Sequence, residues 1–161
     1  MQIRKACPED IGAIMEIYAS AREFMRNCGN PNQWGARHPT RELIESDIAA
    51  KTSYTVVENG EIVGVFYFNI TEDPTYKVIY DGEWLNDKEY GVIHRIAVKY
   101  QGRGIVGFVY DHCYGIIKNL KIDTHRQNLP MQRSLEKNGF KRCGTIYLES
   151  GAERIAYQKA E

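Results

Sequence analysis

Six consecutive residues, Gln101-Gly102-Arg103-Gly104-Ile105-Val106, carry the clearest chemical signal in the chain. Ahead of them, Val92-Ile93-His94-Arg95-Ile96-Ala97-Val98 is rich in β-branched residues and reads as a buried strand. Behind them, Ile105, Val109 and Ile116 with Val106, Tyr110, Cys113 and Ile117 recur at helical spacing. A strand that turns through glycines into a helix leaves backbone N–H groups unpaired, and the helix dipole adds partial positive charge there. Such an end seats a phosphate or pyrophosphate. Groups able to move protons lie nearby in sequence: His94 on the strand, and His125 at the end of the next apolar run, with Asp123 two residues away to orient it. Glu83 is a third candidate, a carboxylate on an aromatic-rich stretch upstream.

Spacing separates the phosphate-binding templates. Gly102-x-Gly104-x-x-Gly107 fits the dinucleotide fingerprint, with Asp123 about 20 residues on as a ribose-binding acid. That fingerprint opens a βαβαβ unit, whereas here too little chain follows Gly107 for the second half of a doubly wound sheet. A P-loop is excluded because no Gly-Lys-Ser/Thr follows. The remaining template, Gln/Arg-x-x-Gly-x-Gly/Ala, is matched by Gln101-Gly102-Arg103-Gly104-Ile105 and departs only at Val106.

Preceded by Ile96-Ala97-Val98 and followed by an amphipathic helix, this run resembles motif A of the GNAT family of N-acetyltransferases. Asn128-x-x-Met131, followed by Glu136-Lys137-Asn138-Gly139-Phe140, resembles motif B of the same family. The resemblance implies an α+β fold: a mostly antiparallel sheet of six to seven strands, flanked by about four helices, with a splayed central strand pair. It also implies acetyl-CoA as cosubstrate and no metal. The pantetheine arm would lie in the gap, pairing with the backbone of Ile96, Ala97 and Val98. The phosphates would meet Gln101, Gly102, Arg103, Gly104, Ile105 and Val106, and Asn128 and Met131 would contact the arm. Many members of the family place a tyrosine acid seven residues after the motif B asparagine. Here that position is Leu135, with Ser134 beside it, so proton transfer falls to His125, His94 or Glu83. His94 is expected on the same strand face as Ile96 and Val98, and His38 and His112 read as surface or packing histidines. The implied reaction is acetyl transfer to the amine of a small or amino-acid-like acceptor by direct attack. The alternative is a non-catalytic acyl-CoA sensor or interaction domain with the same fold, to which Leu135 and Val106 point.

These motifs need elements to hold them, and the rest of the chain supplies them. Gln2–Ala6 alternates like a short strand, and Pro8 suits the first turn of a helix running to about Arg26. Cys28-Gly29-Asn30-Pro31-Asn32-Gln33-Trp34-Gly35 is too rich in breakers for regular structure, yet it holds one of two tryptophans. Trp34 and Gln33 are therefore expected in a binding wall, with Trp34 as a plug between helices the alternative. Thr40 caps a second helix. Tyr54–Val57 and Ile62–Phe68 flank Glu58-Asn59-Gly60-Glu61, a hairpin signal. After Pro74, a tight turn at Asp81-Gly82 is expected to bring Tyr76, Tyr80 and Trp84 together, with Tyr80 and Trp84 lining an acceptor pocket beside Trp34. Strands at 120–125, 140–147 and 154–159 and a short helix ending at Asn138-Gly139 complete a mostly antiparallel sheet. One parallel crossover, at 92–124, interrupts it.

The chain of 161 residues is expected to form one domain, residues 1–161, large enough to bury a core. With 21 basic and 21 acidic residues the net charge is zero, which favours neither nucleic acid nor a membrane surface. Neither a membrane-spanning run nor a signal-peptide core is present, and the expected setting is cytoplasmic. Cys7, Cys28, Cys113 and Cys143 lack metal-binding spacing and read as buried free thiols. A homodimer is the one assembly considered.

Overall fold

A computed structural model describes residues 1–161. Seven strands form one sheet: β1 (Gln2–Lys5), β2 (Ser53–Glu58), β3 (Glu61–Ile70), β4 (Gly91–Val98), β5 (Asn119–Thr124), β6 (Lys141–Tyr147) and β7 (Glu153–Ala160). Their spatial order is β1-β2-β3-β4-β5-β7-β6, antiparallel except at β4–β5. Four helices complete it: α1 (Ile11–Asn27), α2 (Arg41–Ala49), α3 (Ile105–Ile116) and α4 (Leu129–Lys137). This is the expected mixed α+β architecture with its single parallel crossover.

Local chemistry sets the boundaries. Thr40 Oγ1 accepts the Leu43 N–H at 3.2 Å and starts α2. Asn59 (φ 51°) and Gly60 (φ 78°) both take the left-handed conformation that a two-residue hairpin demands between β2 and β3. The helices cover opposite faces of the sheet. On one face, Ile105, Val109, Tyr110 and Cys113 of α3 and Leu135 of α4 bury against Phe66, Ile93, Ile96, Val98, Leu120 and Tyr157. On the other, Ile14, Ile17 and Tyr18 of α1 and Ile44 and Ile48 of α2 bury against Val65 and Ala97.

Two irregularities in β4 make room for a site. β4 and β5 pair only at Gly91↔Leu120 and Val92↔Lys121, so from Ile93 onward the edge of β4 that faces β5 carries no strand. Against β3, the register slips between Tyr67↔His94 and Val65↔Ala97, giving β4 one extra residue. The bulge centres on Arg95, whose φ of 51° is left-handed. One added residue inverts the alternation of faces. Ile93, not His94, therefore shares the α3 face with Ile96 and Val98, and the expected placement of His94 is corrected: it lies opposite, near Tyr67 and Tyr76.

The stretch after Pro74 also departs from expectation. It forms a short 3₁₀ turn at Pro74–Tyr76 and then irregular chain that turns at Asp81 (φ 57°). Tyr76 and Trp84 do pack together, ring centres 5.4 Å apart, but Tyr80 is drawn off by a single bridge to Thr145. The cysteines divide: all four are free, and Cys113 and Cys143 are buried as expected, but Cys7 is only half-buried and Cys28 is exposed at the end of α1.

Candidate active site

Where β4 and β5 separate, a cavity of about 460 Å³ opens through the gap, lined by Ile93 and Ile96 from one face of β4 and by His94 and Arg95 from the other. A narrower pocket of about 130 Å³ adjoins it, between the end of α1, the far half of β4 and the start of α4. Met25, Ile96, Asn128 and Met131 line both, so the two spaces meet at the gap.

The narrow pocket is walled by Ile96, Ala97 and Val98, with Gln101, Val106 and Ser134 beyond them. At its outer end Gly102 and Gly104 both have φ 73°, and a Cβ at either would project into open space. Glycine is required there by the left-handed backbone rather than by crowding. Gly104 offers α3 no side-chain cap, and the first bond of the helix is Phe108 N–H to Gly104 O at 3.0 Å. The amides ahead of it have no capping side chain. Arg103 lies over the Tyr100 ring at 4.0 Å. The Leu135 side chain is wholly buried in the core, whereas Ser134 reaches the pocket wall.

A relay of amides fixes the junction. Met131 N–H donates to Asn128 Oδ1 at 3.1 Å, which aims Asn128 Nδ2 at Gln33 Oε1, 2.9 Å away. Asn30 Nδ2 donates to the same oxygen at 2.8 Å. Asn30 Oδ1 is thereby left as a buried acceptor with no protein partner, on a residue 1% exposed that lines the narrow pocket. Asn30 was not singled out from sequence, where it reads as one more loop breaker.

The larger cavity holds the ionisable groups. His94 Nε2 lies 2.8 Å from Asp73 Oδ2, and Thr75 donates to Asp73 Oδ1 through its N–H (2.9 Å) and its hydroxyl (2.7 Å). Burial pushes the Asp73 carboxyl up, but His94 and the Thr75 donors outweigh it and bring it down to about 2. Asp73 therefore remains an acceptor, and His94 donates from Nε2, which leaves Nδ1 its lone pair. Across the gap, Tyr76 OH donates to Asp123 Oδ2 at 2.7 Å, and Arg154 lies beside Asp123 Oδ1.

The proposed binding wall divides. Gln33 and Trp34 line the cavity, with Trp34 edge-on to Tyr18 and His38. His38, which reads from sequence as a surface or packing histidine, lines the same space, and burial and nearby arginines lower its pKa. Tyr80 and Trp84 do not line it. Tyr80 is half exposed and packs on Tyr147, held out by its bridge to Thr145. Trp84 donates its indole N–H to Tyr76 O, and its ring lies 4.1 Å from Lys121 Nζ. Glu83 is exposed, its backbone tied to Cys143 O. His125 is not in the wall either: its Nδ1 accepts the Gln127 N–H at 3.0 Å. Burial and the charges of Arg154 and Arg126 lower its pKa.

The sequence matches the family model described as Acetyltransferase (GNAT) family over residues 13–140. The chain belongs to the GNAT acetyltransferase family. A GNAT-family acetyltransferase structure from Streptococcus agalactiae 2603 is 31% identical, covering 99% of this chain and 95% of that one, with a TM-score of 0.90. A putative acetyltransferase from Staphylococcus aureus Mu50 shares the fold at 22% identity, with 99% of each chain covered and a TM-score of 0.72. A putative acetyltransferase from Salmonella typhimurium, solved with its cofactor acetyl-CoA, does so at 17% identity, 99% and 92% coverage and a TM-score of 0.66. No curated protein sequence matches the chain. This GNAT chain thus carries the splayed strands, glycine turn and asparagine cap around one continuous cleft.

Proposed function

We propose that this GNAT protein transfers an acetyl group from acetyl-CoA to the amine of a small acceptor. The observation that carries the reading is the junction of two spaces: a backbone-lined slot leading to an uncapped helix start, and a cavity holding a paired histidine.

The slot suits the cosubstrate. The unpaired edge of β4 offers backbone groups to an amide-bearing arm, as an added strand would. The orphaned Asn30 Oδ1 is a ready acceptor for an amide N–H of that arm. The amides at the start of α3 and the nearby Arg103 suit pyrophosphate. Acetyl-CoA supplies the acyl carbon as a thioester: the amine nitrogen bonds to that carbon, the C–S bond breaks, and coenzyme A leaves as the thiol with the second proton of the attacking nitrogen.

On the acceptor side, an ammonium must lose a proton before it can attack. His94 takes that proton at Nδ1, and Asp73 holds the ring through Nε2 and stabilises the imidazolium formed. His94 is preferred to His125 because its ring borders the cavity and its partner fixes the tautomer. His125 has its Nδ1 occupied by a backbone N–H.

Thiol release followed across an amine panel, with calorimetry on acetyl-CoA and desulfo-CoA, tests the proposal. His94→Asn should lower kcat about 10²-fold or more with little change in acetyl-CoA affinity. Asn30→Ala and Asn128→Ala should weaken acetyl-CoA binding first. No heat at millimolar acetyl-CoA would sink the reading, and tight binding without turnover on any amine would favour the sensor. Wild-type turnover in His94→Asn would pass the proton to another group.

A further inference from the structure

Arg154 sits on β7 with its side chain only 8% exposed, beneath the floor of the larger cavity. A guanidinium so buried is costly unless its charge and its N–H groups are met. Of its five N–H donors, Nη1 gives one to Glu153 O at 3.0 Å and Nη2 gives one to Gln33 O at 3.1 Å. Both are neutral carbonyls. The nearest carboxylate oxygen, Asp123 Oδ1, is 3.9 Å from Nε, beyond hydrogen-bond reach. Asp123 already takes the Tyr76 hydroxyl on its other oxygen. Arg154 thus faces the cavity with donors unspent, and its neighbours Gln33 and Asp123 line the same space.

The other charged groups of the cavity are committed. Arg95 meets Asp47 Oδ2 through Nε at 3.0 Å and Nη2 at 2.8 Å, and lies 4.7 Å from the Tyr67 ring centre. Asp73 is saturated by His94 and Thr75. What the cavity offers is the unspent N–H donors of Arg154, whose one charged neighbour, Asp123, stands 3.9 Å away without hydrogen-bonding it.

We infer that the acceptor is a carboxylate-bearing amine, of the size and class of a free amino acid, whose carboxylate is bound by Arg154 while its amine faces His94. This rests on the acetyltransferase reading and narrows it. A monoanion fits better than a phosphate, because Asp73 and Asp123 in the same wall repel a second negative charge. A protein N-terminus fits worse than a free amino acid, because a peptide carbonyl replaces the carboxylate next to the reacting amine. The planar guanidinium fork also matches carboxylate geometry.

The test is thiol release with a panel of free amino acids, each compared with its amide and with its decarboxylated amine. For the preferred side chain, kcat/KM should be about 10²-fold or more higher for the acid than for either neutral analogue. In Arg154→Gln that ratio should fall toward one, mainly through the KM for the acid, and Arg154→Lys should recover part of it. If Arg154→Gln fails to fold, the wild-type ratio still decides. Turnover in which amides or decarboxylated amines match or exceed the acids would overturn this inference and leave the acetyltransferase reading standing. Thiol release from no amine at all would overturn both.

Discussion

Removing Asp47 should both destabilise the protein and misplace its base. Arg95 holds a left-handed backbone in the middle of β4, a conformation that costs a non-glycine residue about 1–2 kcal/mol. Three contacts hold it there: Tyr18 OH donates to Arg95 O at 2.7 Å, Asp47 takes the guanidinium, and the Tyr67 ring lies against it. The ion pair is 16% and 10% exposed, so removing one partner strands a nearly buried charge. Losses on breaking such pairs run to about 3–5 kcal/mol, and partial exposure argues for the lower end, about 3. Burial pushes the Asp47 carboxyl up more than Arg95 pulls it down, so the intact pair adds little net stability. Severing it is nevertheless expensive, and that asymmetry is testable. In urea, Asp47→Ala should lower the midpoint with m unchanged, equivalent to a Tm drop of about 6–12 °C. Replacing both partners, as Asp47→Leu with Arg95→Met, should recover part of the loss. Without Asp47, strain and the unpaired charge both favour a flatter β4, which would turn His94 toward the α3 face, and kcat should fall more than acetyl-CoA affinity. A loss under about 1 kcal/mol, or a kcat equal to wild type, would refute the claim that this pair holds the bulge.

Acid should expose the Asp73 pair. Its carboxyl lies near 2 when folded against an ordinary 3.8, so its stabilisation is complete above about pH 4 and is lost as pH falls toward 2. By linkage this is worth roughly 2 kcal/mol before screening, and Asp73→Asn should flatten that limb of an acid-denaturation curve. Gly104→Ala should cost about 1–2 kcal/mol from its left-handed backbone, read by denaturant titration, and weaken acetyl-CoA binding measured by calorimetry. Cys28, exposed on the wall of the narrow pocket, should react with maleimide at a rate that saturating desulfo-CoA slows at least several-fold. Unchanged labelling would place the cosubstrate elsewhere.

The sheet, its crossover and the glycine turn were legible because each is encoded locally. Asn59-Gly60 needs only its own backbone preferences, Thr40 only the N–H three residues on, and Gly104 only the missing Cβ at φ 73°. The bulge was not legible. Val92-Ile93-His94-Arg95-Ile96-Ala97-Val98 contains no glycine, proline or asparagine to mark a positive φ, and alternation alone places His94 with Ile96. What bends the strand is Tyr18, 77 residues away, and Asp47, 48 residues away. Trp84 was misplaced for a related reason. Its indole satisfies a backbone carbonyl and covers a buried lysine, a pairing visible only once β5 lies beside it.

This difference follows from how each half of the cleft would bind. Helix-start amides and a free strand edge recognise phosphate and amide groups through the backbone, so a short run of β-formers and glycines suffices and can be read in isolation. An acceptor is recognised by side chains converging from β4, β5, β7 and the α1–α2 loop, and no window of sequence contains them together. Arg154 illustrates the point: within Glu153-Arg154-Ile155-Ala156-Tyr157 it reads as the outward residue of an alternating strand. Folding places Gln33 and Asp123 over it and turns that outward position into the buried floor of a cavity. Exchanging Arg154 should therefore change which amine is used, whereas exchanging Gly104 should affect every amine alike.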